Sequence, residues 1–423
     1  MNDFKFTKLS ELVSRVKVGF VGSINEFYCE KENGIPLIRT TDISELGIDY
    51  SNLKYVTKEF HLKNKKSQIK KGDLIIARHG ENGKANVFNE DFDAQVLNAV
   101  IIETNQNKLE SNLLKYFFDS PFIKKQILGV VKGSVQGVIN TAHIADVLIP
   151  INNKIKYKDI AKILNNLDSK IELNNRINAE LESMAKTLYD YWFVQFDFPD
   201  KNGKPYKTSG GKMVWNEELK REVPEGWEVA NIEKSCSIID CLHSKKSDLV
   251  FEEEQYYLLQ LENIKDDGLI DLTNKYFVTK DEYKKWTTRI EVVDGDIVIT
   301  NAGRVAATAQ IPNGMKAGIG RNITAIRPVS INPTYLFLSF GGADIQRQIK
   351  LNTDSGAFFT SFNVKGIKKL QILRPKSEIE KRFEEQALPL RRKRELNIKE
   401  NQKLTELRDW LLPMLMNGQV KVN

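Results

Sequence analysis

The stretch "KKGDLIIARHGENGKANVF", from Lys70 to Phe88, has a second version far downstream in "VVDGDIVITNAGRVAATAQI", from Val292 to Ile311. Each version places a Gly-Asp pair before a short apolar run, then a polar loop that carries glycine, then a second apolar run. Asp73 and Asp296 lie 223 residues apart (296 minus 73). Compact apolar runs bounded by Gly and Asp predict short β-strands. The sequence therefore predicts one strand–loop–strand frame that is built twice and filled differently.

The internal similarity covers most of the chain, in blocks that keep the same order. "IPLIRTTDI" (35–43) corresponds to "YYLLQLENI" (256–264), and "GSVQGVIN" (133–140) corresponds to "GAFFTSFN" (356–363). Self-similarity at a fixed offset indicates repeated structural units. Short strands and short helices alternate within each half, so we expect an α+β fold with two mixed α/β globules.

Each half ends in a long charged segment with heptad spacing. Apolar residues recur at alternating four- and three-residue steps from Ile160 to Trp192, and adding 223 gives the equivalent series from Phe383 to Leu415. This spacing is typical of a coiled-coil seam, and asparagine in a seam fixes register and partner. An open alternative is two unrelated amphipathic helices, each packed on its own globule. Two asparagines stand at the middle of each seam, namely Asn174 and Asn178 in the first and Asn397 and Asn401 in the second.

Mutual pairing of the two helices predicts an antiparallel coiled coil and approximate two-fold symmetry, with one globule at each end. Each seam covers about 33 residues, or roughly 50 Å of helix. Pro389 falls in the first turns of the second helix and should kink that helix or delay its start. The predicted domains are 1–156 (first globule), 157–198 (central helix), 199–224 (connector rich in Gly, Pro and Lys), 225–377 (second globule) and 378–423 (C-terminal helix).

Composition limits the class of protein. The 423 residues are 41% hydrophobic, and 63 Lys and Arg against 56 Asp and Glu give a net charge of +7. A mildly basic balance permits a nucleic-acid partner without requiring one. Three scattered cysteines suit a reducing cytosol, and the spacing of Cys236, Cys241 and His243 does not predict a metal site. The chain shows no signal-peptide core and no apolar run long enough to span a membrane, so we expect a cytoplasmic protein without a membrane partner.

Several segments together resemble the specificity subunit of type I restriction-modification enzymes, over essentially the whole chain. They are "IPLIRTTDI", "KKGDLIIAR", "LNNRINAELESMAKTLYDYWFVQFDFP", "VPEGWEVANIEK" and the closing "ELNIKENQKLTELRDWLLPMLMNGQVKV". The resemblance implies that each globule is a target recognition domain for one half of a bipartite, asymmetric site on double-stranded DNA. It also implies that the helices set the spacing and dock two methyltransferase subunits, in a bacterium or an archaeon.

The same resemblance implies that this chain is non-catalytic and carries no cofactor. S-adenosylmethionine would belong to the methyltransferase partners, and ATP and Mg would belong to two motor-nuclease (restriction) subunits where these are present. A rival interpretation is a duplicated adaptor that binds no DNA and spaces two protein ligands. A third, an autonomous methyltransferase, requires S-adenosylmethionine binding by the isolated chain. "NPTY" (332–335) is a weak form of a methyltransferase motif, and Asn332 followed by Pro333 is better interpreted as a helix N-terminus.

Polar residues in the repeated loops are the candidate DNA contacts, because arginine pairs with guanine and asparagine with adenine through two hydrogen bonds each. Lys245 and Lys246 are predicted to contact phosphates. Phe358, Phe359 and Phe362 could wedge between bases, although core packing is the stronger interpretation. The predicted contacts are Arg39, Thr40, Thr41, Arg78, His79, Asn82, Lys84, Lys132, Ser134, Gln136, Lys245, Lys246, Gln260, Asn301, Arg304, Arg321, Asn322, Ser355, Thr360 and Ser361, and the predicted partner-docking residues are Tyr189, Tyr191, Trp410 and Met414.

Overall fold

The computed structural model describes residues 4–44, 47–50, 52–79, 83–105, 108–132, 138–242, 247–250, 255–272, 274–355 and 360–420, with backbone alone at 44, 130–132 and 355. The chain divides by contact into two compact units. The first unit comprises Met1–Asn174 with Glu400–Asn423, and the second comprises Asn175–Lys399. The domain limits derived from the sequence stay a prediction, because this division follows contacts and cuts through both long helices.

The first unit is a mixture of short strands and helices. Its strands are β1 (Lys5–Lys8), β2 (Arg15–Val18), β3 (Gly34–Arg39), β4 (Ile43–Ser44), β5 (Gly47–Ile48), β6 (Lys54–Thr57), β7 (Gln68–Ile69), β8 (Leu74–Ala77), β9 (Ala85–Val87), β10 (Ala94–Leu97), β11 (Ala99–Glu103) and β12 (Leu148–Ile151). Its helices are α1 (Leu9–Leu12), α2 (Lys58–Lys63), α3 (Ser111–Asp119), α4 (Pro121–Lys132), α5 (Thr141–Ala145) and the start of α6 (Tyr157–Tyr189).

The second unit is built from similar elements. Its strands are β13 (Met213–Asn216), β14 (Arg221–Pro224), β15 (Glu228–Asn231), β16 (Cys236–Asp240), β17 (Tyr257–Leu259), β18 (Tyr276–Phe277), β19 (Ile297–Thr300), β20 (Thr308–Gln310), β21 (Gly318–Ile319), β22 (Ile323–Pro328), β23 (Asp354–Ser355), β24 (Thr360–Ser361) and β25 (Gln371–Arg374). Its helices are the end of α6, a π-helical turn at Asp190–Val194, α7 (Lys280–Trp286), α8 (Pro333–Phe340), α9 (Ala343–Leu351), α10 (Val364–Lys368) and most of α11 (Ser377–Met416).

The sheets show that the internal repeat is structural. The order β2-β11-β8-β9 in the first unit corresponds to β16-β22-β19-β20 in the second. The β3–β10 pair is parallel, and so is its equivalent β17–β21. Strands β8 and β19 are buried along their whole length, because both faces of each are covered by apolar side chains. The prediction of two mixed α/β globules is therefore confirmed.

The two long helices run antiparallel in the first unit. Asn174 Nδ2 donates to Asn401 Oδ1 at 2.8 Å and to Glu400 Oε2 at 2.8 Å. The Asp168 carboxylate pairs with Arg408 at 3.0 Å. As the number on α6 rises from 168 to 174, the number of its partner on α11 falls from 408 to 401, which defines the antiparallel direction.

The second unit contains the matching stretch of the same two helices. Asn397 Nδ2 donates to Asn178 Oδ1 at 2.9 Å, and both side chains are buried. Arg394 pairs with Glu182 at 2.8 Å, so the direction is again antiparallel. The predicted pairing of the asparagines is confirmed, and the alternative of two unrelated helices on separate globules is wrong.

Of the two effects predicted for Pro389, the delayed start of α11 does not occur, whereas the kink stays a prediction. The helix begins at Ser377, well before the proline. Phe383 and Ala387 are fully buried in the core of the second unit and hold the first turns in place. Pro389 and Glu385, whose carbonyl loses its usual amide donor, are both exposed, so water can satisfy that carbonyl.

The segment predicted as a connector (199–224) is folded onto the second unit. Strands β13 and β14 pair within it, and Leu219 and Val223 join the apolar core beside Trp227. Across the described residues, no helix combines the length and the apolar character needed to cross a lipid bilayer.

Candidate nucleic-acid interface

The Gly-Asp pair of each frame builds the turn that starts the buried strand. Gly72 has a φ of 89° and its equivalent Gly295 a φ of 86°, a region that glycine occupies without strain. The Asp73 carboxylate accepts the Lys70 N–H at 2.9 Å, and the Asp296 carboxylate accepts the Val293 N–H at 2.9 Å. The Gly-Asp pair therefore occurs in both frames because both frames contain the same turn.

The first loop connects β8 to β9 through residues 78–83 and is closed by main-chain atoms. The Ala77 N–H donates to the Lys84 carbonyl at 2.9 Å, and the Gly83 N–H donates to the Ala77 carbonyl at 3.1 Å. Gly83 has a φ of 90°, which completes the reversal of the chain. No side chain takes part in these closing bonds.

The second loop, 301–306, has the same length and the same closure. The Thr300 N–H donates to the Ala307 carbonyl at 3.0 Å, and the Ala306 N–H donates to the Thr300 carbonyl at 2.9 Å. Ala306 takes the left-handed conformation, with a φ of 62°, where the first loop has glycine. The Thr300 hydroxyl also donates to the Arg304 carbonyl. The two loops thus share their length and their closing main-chain hydrogen bonds and differ in sequence.

A later segment of each unit returns to the loop. The Ile139 N–H donates to the Arg78 carbonyl at 3.3 Å, and the Phe362 N–H donates to the Asn301 carbonyl at 2.9 Å. These pairs match at the offset of 223 residues. The Arg78 side chain also donates through Nε to the Ile139 carbonyl at 2.8 Å, and burial lowers the pKa of its guanidinium. Arg78 thus has a structural role at the base of the loop.

Arg39 is also held by the protein. Its Nε and Nη2 donate to the Asp42 carboxylate at 2.9 and 2.7 Å, and this contact raises the pKa of the guanidinium. In the second unit the backbone N–H of Gln260 donates to Asn263 Oδ1 at 2.8 Å, in the equivalent turn. The side chain of Arg39 is therefore engaged in the turn that ends β3.

In each unit one asparagine in the left-handed conformation lies between a strand of the parallel pair (β10 or β21) and the strand that follows it (β11 or β22). Asn98 has a φ of 53° and Asn322 a φ of 61°. The Thr40 hydroxyl donates to the Asn98 carbonyl at 2.8 Å, and the Asn301 N–H donates to the Asn322 carbonyl at 2.8 Å. The structure thus brings Asn301, Asn322 and the exposed Arg321 together at one edge of the second unit.

The exposed predicted contacts are the ones free to approach a ligand. Arg304 protrudes from the second loop, and its Nη1 lies 3.6 Å from the carboxylate of Asp266, which is itself largely exposed. His79 is exposed on the first loop. The ion pair between Arg304 and Asp266 is long and lies at the surface, so it is weak and a ligand can displace it. Thr41 and Thr360 are exposed as well, and Ser361 is half-buried.

Some predicted contacts lie outside the described residues. These are Asn82, Ser134, Gln136, Lys245 and Lys246, with Phe358 and Phe359; for Lys132 and Ser355 only the backbone is described. Phe362 is fully buried in the core of the second unit, so it packs as a core residue and the wedge interpretation is wrong for it.

The predicted docking residues have different environments. Trp410 is 57% exposed and Tyr191 is 37% exposed. Tyr189 lies against Phe193 and Tyr335, with ring centroids 5.3 and 6.0 Å away, and burial raises the pKa of its hydroxyl. Met414 is half-buried. Trp410 therefore offers the largest exposed aromatic surface of the four.

Two exposed lysines on α4, Lys124 and Lys125, are not among the predicted contacts. They line a cleft together with Lys84, which follows the first loop. The adjacent pair in "FIKKQIL" is a signal for a basic patch, but an adjacent pair of lysines is common on solvated helices.

Known proteins with similar sequences belong to one group, the specificity subunits of type I restriction enzymes. Residues 1–183 match the family model described as the type I restriction modification DNA specificity domain. The HindI specificity subunit of Haemophilus influenzae, a type I restriction enzyme subunit, is 24% identical over 84% of this chain and 88% of the relative. The putative MjaX specificity subunit of Methanocaldococcus jannaschii is 24% identical over 99% of this chain and 94% of the relative.

A solved structure shares the fold. The S subunit of the type I restriction-modification system from M. genitalium is 15% identical, with a TM-score of 0.54 over 98% of this chain and 97% of that chain. The chain is thus similar in sequence to the specificity subunits of type I restriction enzymes, and its residues 1–183 match the model of the type I restriction modification DNA specificity domain.

Proposed function

We propose that this chain is the sequence-specific DNA-binding subunit of a type I restriction-modification complex, in which each globule reads one half of a bipartite, asymmetric site. One observation carries the proposal: loops 78–83 and 301–306 share length and main-chain closure but not side chains. A constant frame that presents different polar groups suits two readers of two different half-sites.

The readers we favour are the exposed side chains on these loops. Arg304 is the strongest candidate in the second unit, because its guanidinium is exposed and its ion pair with Asp266 is long. His79 takes that place in the first unit, since the neighbouring Arg78 holds the Ile139 carbonyl. A two-pronged arginine–guanine contact contributes about 1–3 kcal/mol of discrimination between bases.

The paired helices would set the spacing between the half-sites and dock two methyltransferase subunits. Hydrogen-bonded asparagines in a seam specify register, which a fixed spacing requires. The chemistry would reside in the partners: S-adenosylmethionine with the methyltransferase subunits, and ATP and Mg with motor-nuclease subunits. Trp410 is the exposed aromatic residue best suited to a protein interface.

The experiment is to express the chain with the methyltransferase subunit of its own host and to sequence the methylated adenines. Arg304→Ala should relax one half of the modified site by roughly ten- to a hundredfold, while His79→Ala should affect only the other half. Arg347→Ala is the matched control, because Arg347 is an exposed arginine on α9 that pairs with Asp344. The control should leave both half-sites unchanged.

Two outcomes decide against the proposal. If Arg304→Ala alters both half-sites or neither while the complex still assembles, Arg304 is not a base reader. The rival adaptor predicts no DNA affinity at all. DNA binding should instead weaken steeply with added salt, because each neutralised phosphate releases counterions.

A further inference from the structure

Each unit contains a cleft at the equivalent place in the repeat. The first cleft, in the first unit, has a volume of about 800 Å³ and lies among α3, α4, the start of β9 and the end of α11. The second cleft, in the second unit, has a volume of about 230 Å³ and lies among α8, the start of β20 and the end of α6.

The lining residues establish that the clefts are equivalent. Ala85 lines the first cleft and Thr308 the second, and these residues lie 223 positions apart (308 minus 85). Further lining pairs at the same offset are Asp119 with Gly342, Arg408 with Ala185, Asp409 with Lys186, Leu412 with Tyr189 and Pro413 with Asp190. The two clefts therefore share part of their lining at corresponding positions of the repeat, whereas the positions that correspond to Lys124 and Lys125 do not line the second cleft.

The first cleft is basic. Four lining residues are basic (Lys84, Lys124, Lys125 and Arg408) and two are acidic. Arg408 is neutralised locally, because it pairs with Asp168 at 3.0 Å. Lys124 and Lys125 are exposed, and neither ammonium group forms an ion pair or hydrogen bond to another described residue. Their two charges are available to a ligand.

The second cleft has the opposite balance. Four of its lining residues are acidic (Glu182, Asp190, Asp266 and Asp267) and two are basic. Of the basic pair, Arg394 is occupied by Glu182 at 2.8 Å. Glu182 is thereby neutralised, and Asp266 lies 3.6 Å from Arg304, so Lys186 remains beside the carboxylates of Asp190 and Asp267.

We propose that the first cleft binds the phosphate backbone of DNA and that the second does not. The inference rests on the proposed function, and it adds that the two units contribute unequally to salt-dependent affinity. The first cleft adjoins the first loop, since Lys84 closes that loop through its carbonyl and also lines the cleft. A strand whose bases reach the loop would pass its phosphates over α4. In the second cleft the carboxylates of Asp190 and Asp267 would repel phosphates.

The test is the salt dependence of binding by the full chain to a duplex of random sequence, followed by fluorescence anisotropy. Each lost phosphate contact lowers the slope of log affinity against log salt by about 0.9. Lys124→Gln with Lys125→Gln should therefore lower the slope by roughly 1 to 2. Lys186→Gln, a change of the lysine that lines the second cleft, should leave the slope unchanged. Both variants alter exposed lysines, and circular dichroism checks that each remains folded.

The outcomes separate this inference from the proposed function. A wild-type chain without salt-dependent DNA binding overturns both. A steep wild-type slope that the Lys124/Lys125 variant retains overturns the inference alone. If that variant keeps its slope but loses assembly with the methyltransferase subunit, the first cleft is a protein-docking site. An equal loss of slope with Lys186→Gln also overturns the assignment, because it removes the difference between the clefts.

Discussion

Replacing Asn178 by leucine should destabilise the helix pair of the second unit, whereas replacing Asn178 and Asn397 together should not. Asn397 Nδ2 donates to Asn178 Oδ1 at 2.9 Å, and the two residues are 1% and 7% exposed. Asn178→Leu removes the acceptor and leaves a buried amide donor without its partner. The double variant removes donor and acceptor together and places two apolar side chains in the seam.

The expected magnitudes follow from these contacts. An orphaned buried polar group costs about 1–3 kcal/mol, which should lower amide protection in the helix pair by roughly 5- to 150-fold. The double variant avoids that cost and gains apolar burial, so its stability should equal or exceed that of the wild type. The coupling free energy between the two sites should thus be at least about 1 kcal/mol. Leucine at all four seam asparagines should raise the melting temperature and loosen the register.

Hydrogen exchange is the suitable assay, since a chain of two units need not unfold in one step. Protection of amides near 178 on α6 and near 397 on α11 is compared in the wild type, both single variants and the double variant. If the double variant loses as much protection as the two single variants combined, the side chains do not depend on each other. That result would refute the proposed role of the pair.

Two further matched pairs test the repeated frame. Gly83→Ala should lower the stability by about 1–2 kcal/mol, because the φ of Gly83 is 90° and the new Cβ would lie 3.1 Å from Ile127. Ala306→Gly should instead raise the stability by up to about 1 kcal/mol, because glycine relieves the left-handed backbone. Melting temperatures measure both effects. Asp73→Asn should abolish a pH dependence of stability, whereas Asp296→Asn should cost about 1–2 kcal/mol by removing the negative charge that lies 2.6 Å from Arg327.

The sign of the pH effect follows from burial, which raises the pKa of Asp73 in the folded protein. The folded state therefore holds that proton more tightly than the unfolded state does. Wild-type stability should fall as pH rises from about 4, the ordinary carboxyl range, through the raised value, and the asparagine variant should lack this fall. A variant with an unchanged pH profile would contradict the assignment. For Gly83→Ala and Ala306→Gly, shifts of the melting temperature in the same direction would contradict the expected effect of the left-handed backbone.

The sequence predicted those features whose physical cause is local or periodic. The Gly72-Asp73 and Gly295-Asp296 turns depend on neighbouring residues, and the seam around Asn178 depends on heptad spacing, so both can be predicted from the chain alone. The environments of the candidate contacts depend on distant residues. Arg78 donates to a carbonyl 61 residues away, and nothing in its own loop indicates that partner.

The predicted delay of α11 at Pro389 was wrong for a similar reason. A local rule gives Pro389 a cost, but the burial of Phe383 and Ala387 decides where α11 begins. The basic cleft was also beyond local reasoning. It is assembled from α4, the start of β9 and α11, segments that only the tertiary fold brings together.

Main-chain closure of the two loops limits the ways in which they can diverge. An inserted residue would move the Lys84 carbonyl away from the Ala77 N–H and would turn each following side chain of β9 to the opposite face of its sheet. A substitution disturbs neither. New specificities should therefore arise by amino-acid substitution at constant loop length. Loops 78–83 and 301–306 are suitable segments for libraries that vary the residues and keep the length.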